Sequence, residues 1–181
     1  MTKIHKDVSS ILFDEQVIHD RIQVLGDMIS KDYEGKNPVF ICILKGSIIF
    51  LADLIRSVDI PLEIDSMAVS SYGNSHVSSG VVKIKKDIDI DLFERHVIIV
   101  EDIVDSGLSL QYIKEYLAKH EPASVKVCVF LDKPNAHKVP VQIDYCGFQI
   151  GNEFVVGYGL DYGENYRNLP YLGILKEEVY Q

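Results

Sequence analysis

The segment Val97-Ile98-Ile99-Val100-Glu101-Asp102-Ile103-Val104-Asp105-Ser106-Gly107-Leu108-Ser109-Leu110 gathers most of the groups needed to grip a small phosphorylated ligand. An apolar, β-branched run ends in two carboxylates, Glu101 and Asp102. Asp105 follows three residues later, and Ser106-Gly107-Leu108-Ser109 then opens onto a helical pattern. Glycine permits a tight turn and a close backbone approach, and the serine hydroxyls add donors. A helix start offers free N–H groups and the positive end of the helix dipole. Together these parts make a receptor for a dianion such as a monophosphate. A Ser-Gly pair ahead of a helix also reads as a plain cap. The crowded acids weigh against that reading. Two like charges ~4 Å apart at an effective dielectric of about 20 repel by ~4 kcal/mol, so they call for a metal, a cation or ligand hydroxyls as partners. Neither GxxxxGK[ST] nor GxGxxG occurs, so the loop is not one of those two phosphate-binding types.

Holding these groups requires a strand before them and a helix after. Residues 97–100 read as a strand and residues 108–119 as a helix, with Leu110, Ile113 and Leu117 on one stripe; residues 125–131 read as a strand again. Strand, loop, helix, strand is the crossover unit of parallel sheets, whose ligands gather at the carboxyl ends of the strands. Residues 62–69 and 81–85 read as further strands, and residues 39–44 form a continuous apolar run of the kind covered on both faces. Asp14 caps a first helix whose Val17, Ile18, Ile22, Leu25 and Ile29 fall at helical spacing, and Gly35-Lys36-Asn37-Pro38 breaks the chain after it. Ser47 caps a second helix, 48–57, which is apolar on nearly every side through Ile48, Ile49, Phe50, Leu51, Ala52, Leu54 and Ile55. One face packs on a sheet and the rest needs another cover. A subunit interface, in a homodimer or homotetramer, supplies it; burial within the same chain serves equally.

Composition narrows the function classes. With 181 residues and no repeat or linker, the chain reads as one domain of the α/β class. A net charge of −9 argues against broad nucleic-acid binding, which needs clustered Lys and Arg. It also means that a polyphosphate must be met by local donors and a metal. No apolar run approaches the ~18 residues of a membrane span, and the first residues lack the apolar core of a secretory signal, so the expected location is the cytoplasm with no membrane partner. Cys42, Cys128 and Cys146 sit in apolar stretches without a CxxC pair and read as buried, reduced thiols.

The order apolar run, Glu101-Asp102, two residues, Asp105-Ser106-Gly107-Leu108-Ser109 resembles the phosphoribosyl-diphosphate (PRPP) signature of type I phosphoribosyltransferases, with serine at 106 and 109 where threonine is common. The resemblance implies a Rossmann-like, mostly parallel sheet flanked by helices. It places the core at about 37–150 and a small hood in the N-terminal segment together with about 151–181. It also implies that Glu101 and Asp102 hold the ribose hydroxyls and Mg²⁺, and that Asp105, Ser106, Gly107, Leu108 and Ser109 cradle the 5-phosphate. Four other segments resemble the purine-salvage branch of that family. Leu44-Lys45-Gly46-Ser47 would take the pyrophosphate on its amides, with Leu44–Lys45 as a cis peptide; many relatives carry a second Gly where Ser47 stands. Ser70-Ser71-Tyr72-Gly73 opens a Ser/Gly-rich stretch that implies a lid, with Ser71 and Tyr72 closing over the donor. Lys133 in Leu131-Asp132-Lys133-Pro134 would donate to a purine 6-oxo group, which an ammonium with donors only favours over adenine's amino group. Asn135-Ala136-His137 follows where relatives often carry arginines. In the segment from Phe154 to Tyr162, Phe154 would stack on the base, the Val155 backbone would meet its edge, and Asp161 would serve the base side and a second Mg²⁺; Arg167 would reach the pyrophosphate.

The implied reaction is attack by a purine nitrogen on the anomeric carbon of PRPP, releasing pyrophosphate, with Asp105 as general base. Hypoxanthine and guanine as 6-oxopurine acceptors would give IMP and GMP. A PRPP sensor and a phospho-acceptor receiver share parts of the pattern: the first binds without turnover, the second ignores both PRPP and Mg²⁺.

Overall fold

The computed structural model describes residues 5–71 and 82–181. In chain order the elements are β1 (Val8–Phe13), α1 (Glu15–Asp32), β2 (Val39–Leu44), α2 (Ile48–Ser57), β3 (Glu63–Ser71), β4 (Val82–Lys86), β5 (His96–Val104), α3 (Leu108–Ala118) and β6 (Ser124–Asp132). A 3-10 turn (Pro134–Ala136), β7 (Tyr145–Gln149), β8 (Val155–Val156), β9 (Leu172–Leu175) and a single-turn α4 (Glu177–Tyr180) complete it.

The continuous apolar runs become the buried centre of a six-stranded sheet, in the order β4-β3-β2-β5-β6-β7. All neighbours in it are parallel except β3 and β4. Alternation divides the side chains between two layers. Phe40, Cys42, Ile98, Val100, Cys128 and Phe130 join the core beneath α1 and α2, while Val39, Ile41, Ile99, Val127 and Val129 join the core beneath α3. From α1, Ile18, Ile22, Leu25 and Ile29 are buried, each stabilising the fold by roughly 1.5–3 kcal/mol. Asp14 caps this helix by accepting from the Val17 amide at 2.9 Å. Val17 itself is 44% exposed and lies off the buried stripe, a correction to the expected face.

Ser47 departs from expectation too. It does not cap α2 through its side chain; buried at the sheet's end, its hydroxyl donates to the Ile43 carbonyl at 2.5 Å and lies 3.2 Å from the Cys42 sulfur. The inner face of α2 is held by Phe50, Leu51 and Leu54. Ile48 stays 49% exposed and, with Leu44, Ala52, Ile55 and Ile64, lines an open apolar cleft of about 460 Å³.

Where β2 parts from β5 decides where ligands go. Their pairing ends at Cys42 with Val100, whereas β5 keeps β6 as partner as far as Val104 with Asp132. The chain therefore leaves β2 toward β3 on one side and β5 toward β6 on the other, the switch point at which open parallel sheets form a crevice. The expected strand end at residue 100 is corrected to Val104, so Glu101 and Asp102 belong to the strand and stand just past the end of the β2 ladder.

A second, antiparallel sheet of three strands, in the order β1-β9-β8, joins the first strand of the chain to two late ones. Val8, Val156, Tyr171 and Leu175 form its own small core. No helix among the described residues is long and apolar enough to cross a membrane.

Candidate active site

At the carboxyl end of β5 the chain turns through Asp105 and Ser106 into Gly107, whose φ of +79° is left-handed and favours glycine, and α3 begins at once with Leu108. Among the described residues no protein acceptor takes the amides of Asp105, Ser106, Gly107 or Ser109, and the Leu108 amide meets only the Ser106 hydroxyl, at 3.5 Å. Open amides in a turn at a helix start make an anion receptor. A cavity of about 130 Å³ lies in front of them, lined by Glu101, Ile103, Val104, Asp105, Ser106, Gly107, Ser109 and Leu110. Wider clefts exist elsewhere, including one of about 500 Å³ beside α3, but they lack this convergence of acids and amides.

Glu101 and Asp102 are unusual among the chain's acids. Burial, then the charge of Asp102, holds the Glu101 carboxyl well above its ordinary range. Burial raises Asp102 as well, against the lowering effect of the Ile103 amide, which donates to it at 2.8 Å, and of the Arg167 charge. Glu101 Oε2 is enclosed with no hydrogen-bond partner among the described residues. A buried carboxylate oxygen without a donor is costly unless a ligand hydroxyl or a cation completes it.

The turn after β2 closes the other wall. Leu44–Lys45 is a cis peptide, in line with the resemblance. Gly46 lies so close to Asp102 that a Cβ there would fall 1.5 Å from Oδ2. The loop from Gly157 to Arg167 packs on the same turn, since a Cβ at Gly159 would come within 2.1 Å of the Gly46 carbonyl oxygen. Lys45 lies 3.1 Å from Glu164, and Arg167 reaches the Gly159 carbonyl at 2.8 Å, Asp161 at 2.7 Å and Glu164 at 3.5 Å. Lys45, Gly46, Asp102 and Arg167 therefore stand together around one crevice.

Lys133 begins the chain after β6, beside the phosphate turn, with its amide donating to the Val104 carbonyl at 2.9 Å. Its ammonium donates to the Glu153 carbonyl at 2.8 Å, next to Phe154. Phe154 is 37% exposed; it stacks on Tyr180 with centroids 4.8 Å apart and meets Tyr162 edge-on. Val155 is buried in β8 and pairs with Ile174. Lys133, Phe154 and Val155 thus form a second group at the adjoining strand end.

Asp161 falls with the first group, not the second: one oxygen pairs with Arg167 and the other accepts from the Glu164 amide at 2.8 Å. Among the described residues no three His, Cys, Asp or Glu side chains cluster as a ready metal cage. Ser71 ends β3, its side chain and the whole of Tyr72 lying outside the described residues, as does the rest of the expected lid to residue 80. Sequence reasoning missed Glu164 as the link between Lys45 and Arg167, and Tyr180 as the ring behind Phe154. No spacing rule signals either, because both are contacts between distant segments.

The phosphoribosyl transferase domain family matches residues 9–163 of the chain. A hypoxanthine-guanine phosphoribosyltransferase of Streptococcus thermophilus is 47% identical over 177 residues, covering 98% of both chains. One of Streptococcus pneumoniae is 49% identical over the same length and coverage. The crystal structure of a hypoxanthine phosphoribosyltransferase from Staphylococcus aureus superimposes with a TM-score of 0.95 at 45% identity, covering 98% of this chain and 96% of that one. A hypoxanthine-guanine phosphoribosyltransferase from Bacillus anthracis gives a TM-score of 0.90 at 43% identity, covering 93% of this chain and 99% of that one.

Proposed function

The chain belongs to the phosphoribosyltransferase family and is a transferase, and from that premise we propose that it carries the 5-phosphoribosyl group of PRPP to N9 of hypoxanthine and guanine, releasing pyrophosphate with IMP or GMP as product. The observation that carries this reading is the open-amide turn at 105–109 facing a small cavity walled by Glu101. Phosphate fits the amides and the Ser106 and Ser109 hydroxyls. The ribose hydroxyls satisfy Glu101 and Asp102.

The acids also fit Mg²⁺, the expected cofactor. An enclosed, unpartnered Glu101 oxygen beside a second raised carboxyl suits a cation that is held by one or two carboxylates and otherwise by ligand oxygens and water. When bound, the ion neutralises charge on the departing pyrophosphate. Asp161 is the candidate for a second such contact.

On the protein side, Lys45, the Gly46 turn and Arg167 stabilise pyrophosphate as it leaves, which offsets the charge an acidic protein would otherwise repel. Phe154 offers a ring to the base and the Val155 backbone its edge. Lys133, with donors only, selects a 6-oxo over a 6-amino group. Asp105, exposed at the mouth of the cavity, takes the N7 proton as the N9 bond forms. A second copy of the chain covers the apolar cleft of α2, and the enzyme works in the cytoplasm, where its phosphorylated donor is retained.

The test is pyrophosphate release from PRPP with each of hypoxanthine, guanine and adenine. Turnover with the first two and none with adenine is expected, and chelation of divalent metal should stop it. Asp105→Asn should lower kcat by roughly 100-fold or more while PRPP binding stays near normal. Full activity after chelation, or turnover with adenine alone, would overturn the reading.

A further inference from the structure

We propose that the pair formed by Asp132 and His137 is a brace that holds the base-side lysine and the phosphate turn in register, which makes His137 a positioning residue for both substrates. The inference rests on the reading above and extends it to residues that the reading does not use.

Asp132 ends β6 and is 4% exposed; with Ser47 it is one of the few buried polar side chains among the described residues. A buried carboxylate must be partnered. Here Oδ1 lies 2.8 Å from His137 Nε2 and Oδ2 accepts from Gln149 at 3.3 Å. With Asp132 ionised, the ring hydrogen facing it sits on Nε2.

The segment between and beyond these two residues is a strap laid across the phosphate turn. Lys133 opens it, tied through its amide to the Val104 carbonyl at 2.9 Å. The 3-10 turn Pro134–Ala136 follows, closed by the Ala136 amide on the Lys133 carbonyl at 2.9 Å. Just past His137, the Lys138 amide donates to the Ser106 carbonyl at 2.9 Å. Val139 and Val141 then cover Gly107, where a Cβ would meet Val139 Cγ2 at 3.2 Å and Val141 Cγ2 at 2.4 Å. The strap thus grips the phosphate turn at Val104 and Ser106 and roofs it at Gly107. Between those ties, one residue before the second, His137 pins it to the buried end of β6.

Releasing the pin loosens both groups at once. Lys133 precedes it by one turn, and the Ser106 carbonyl hangs on the next residue. Preorganisation of two binding groups is lost while Glu101 and Asp102 keep their own strand. A side chain that merely fills space would instead lower the melting temperature and the fraction of active enzyme, with both KM values unchanged.

The experiment measures KM and kcat for PRPP and for hypoxanthine in the full chain, the parent beside His137→Ala and His137→Gln. Glutamine places an amide donor where Nε2 stands. His137→Ala should raise both KM values about tenfold or more, as loss of one hydrogen bond to a charged group implies, with kcat within about twofold of the parent; His137→Gln should recover most of both. Unchanged KM values, a loss confined to melting temperature and active fraction, or glutamine no better than alanine each overturn the brace. Should His137→Ala fail to fold, the isosteric Asp132→Asn carries the test, since weakening the same bond must raise the same two constants. A parent that never turns over PRPP sinks the family reaction instead, whereas an active parent with indifferent variants sinks only the brace.

Discussion

Replacing Gly46 with alanine forces a methyl group into space that the Asp102 carboxylate already fills. The new Cβ would lie 1.5 Å from Oδ2, 2.6 Å from Cγ and 3.3 Å from Cβ of Asp102. Carbon atoms rest at about 3.5–4.0 Å from their neighbours, so the turn and the carboxylate must part by roughly 2 Å. Neither has slack. Asp102 Oδ1 accepts from the Ile103 amide at 2.8 Å, and the Gly46 carbonyl is pressed by Gly159 from the other side. Overpacking of this kind costs about 1–3 kcal/mol, which in a chain of this size lowers the melting temperature by roughly 2–12 °C. The larger loss falls on catalysis, because displacing a positioning group by about 1 Å reduces kcat/KM about 100-fold, or ~2.7 kcal/mol. Gly35→Ala is the matched control. Gly35 has a left-handed φ, +71°, which Gly46 does not share, and nothing lies within 4 Å of its would-be Cβ. It should lose ~1–2 kcal/mol of stability and none of its activity. Steady-state pyrophosphate release and thermal melts on the three proteins decide the matter. If Gly46→Ala keeps kcat/KM within about twofold of the parent while Gly35→Ala behaves as stated, the contact between the two walls is not what shapes the site.

Glu101 carries a pH dependence with a definite sign. Its raised pKa means that the folded protein keeps a proton which the unfolded chain has released, so ligand-free stability falls as pH climbs from the ordinary value of 4.5 through the raised one. Glu101→Gln removes that fall: its ligand-free melting temperature should match the parent near pH ~4 and exceed it by several degrees at pH ~8, at about 2–4 °C per kcal/mol, while PRPP with Mg²⁺ binds more weakly. Calorimetry showing the variant less stable than the parent at the higher pH would contradict the sign. In the parent, binding of PRPP with Mg²⁺ should tighten as pH rises and release protons, read by titration in buffers of different ionisation enthalpy; binding indifferent to pH would contradict it. Asp14→Ala deletes the α1 cap and should lower the melting temperature by roughly 1–8 °C, from a loss of about 0.5–2 kcal/mol, with both KM values unchanged.

What could be read from the residues in advance was what is local along the chain. Glu101 to Ser109 supplies acids, turn and helix start within one stretch, so strand, loop and helix could all be assigned. The end of that strand could not, because it depends on β6 staying as partner to Val104 after β2 has left at Val100. Ser47 looked like a cap by type and place, yet burial beside Cys42 gave its hydroxyl a nearer acceptor in Ile43. Val17 shared the helical spacing of its neighbours but fell just outside the buried arc. The meeting of Asp102 with Gly46, and of Lys45 with Glu164, joins segments far apart in sequence, which no periodicity records.

The antiparallel sheet of β1, β9 and β8 has a consequence for biosynthesis. β1 leaves the ribosome ahead of the other strands described, but Val8 pairs with Leu175 and Phe13 with Leu172, so it must wait for β9 before it finds its neighbour. Every strand of the parallel sheet is complete by Gln149 and is free to close earlier. In the nascent chain β1 is therefore an unpaired edge, open to the wrong strand until β9 has emerged.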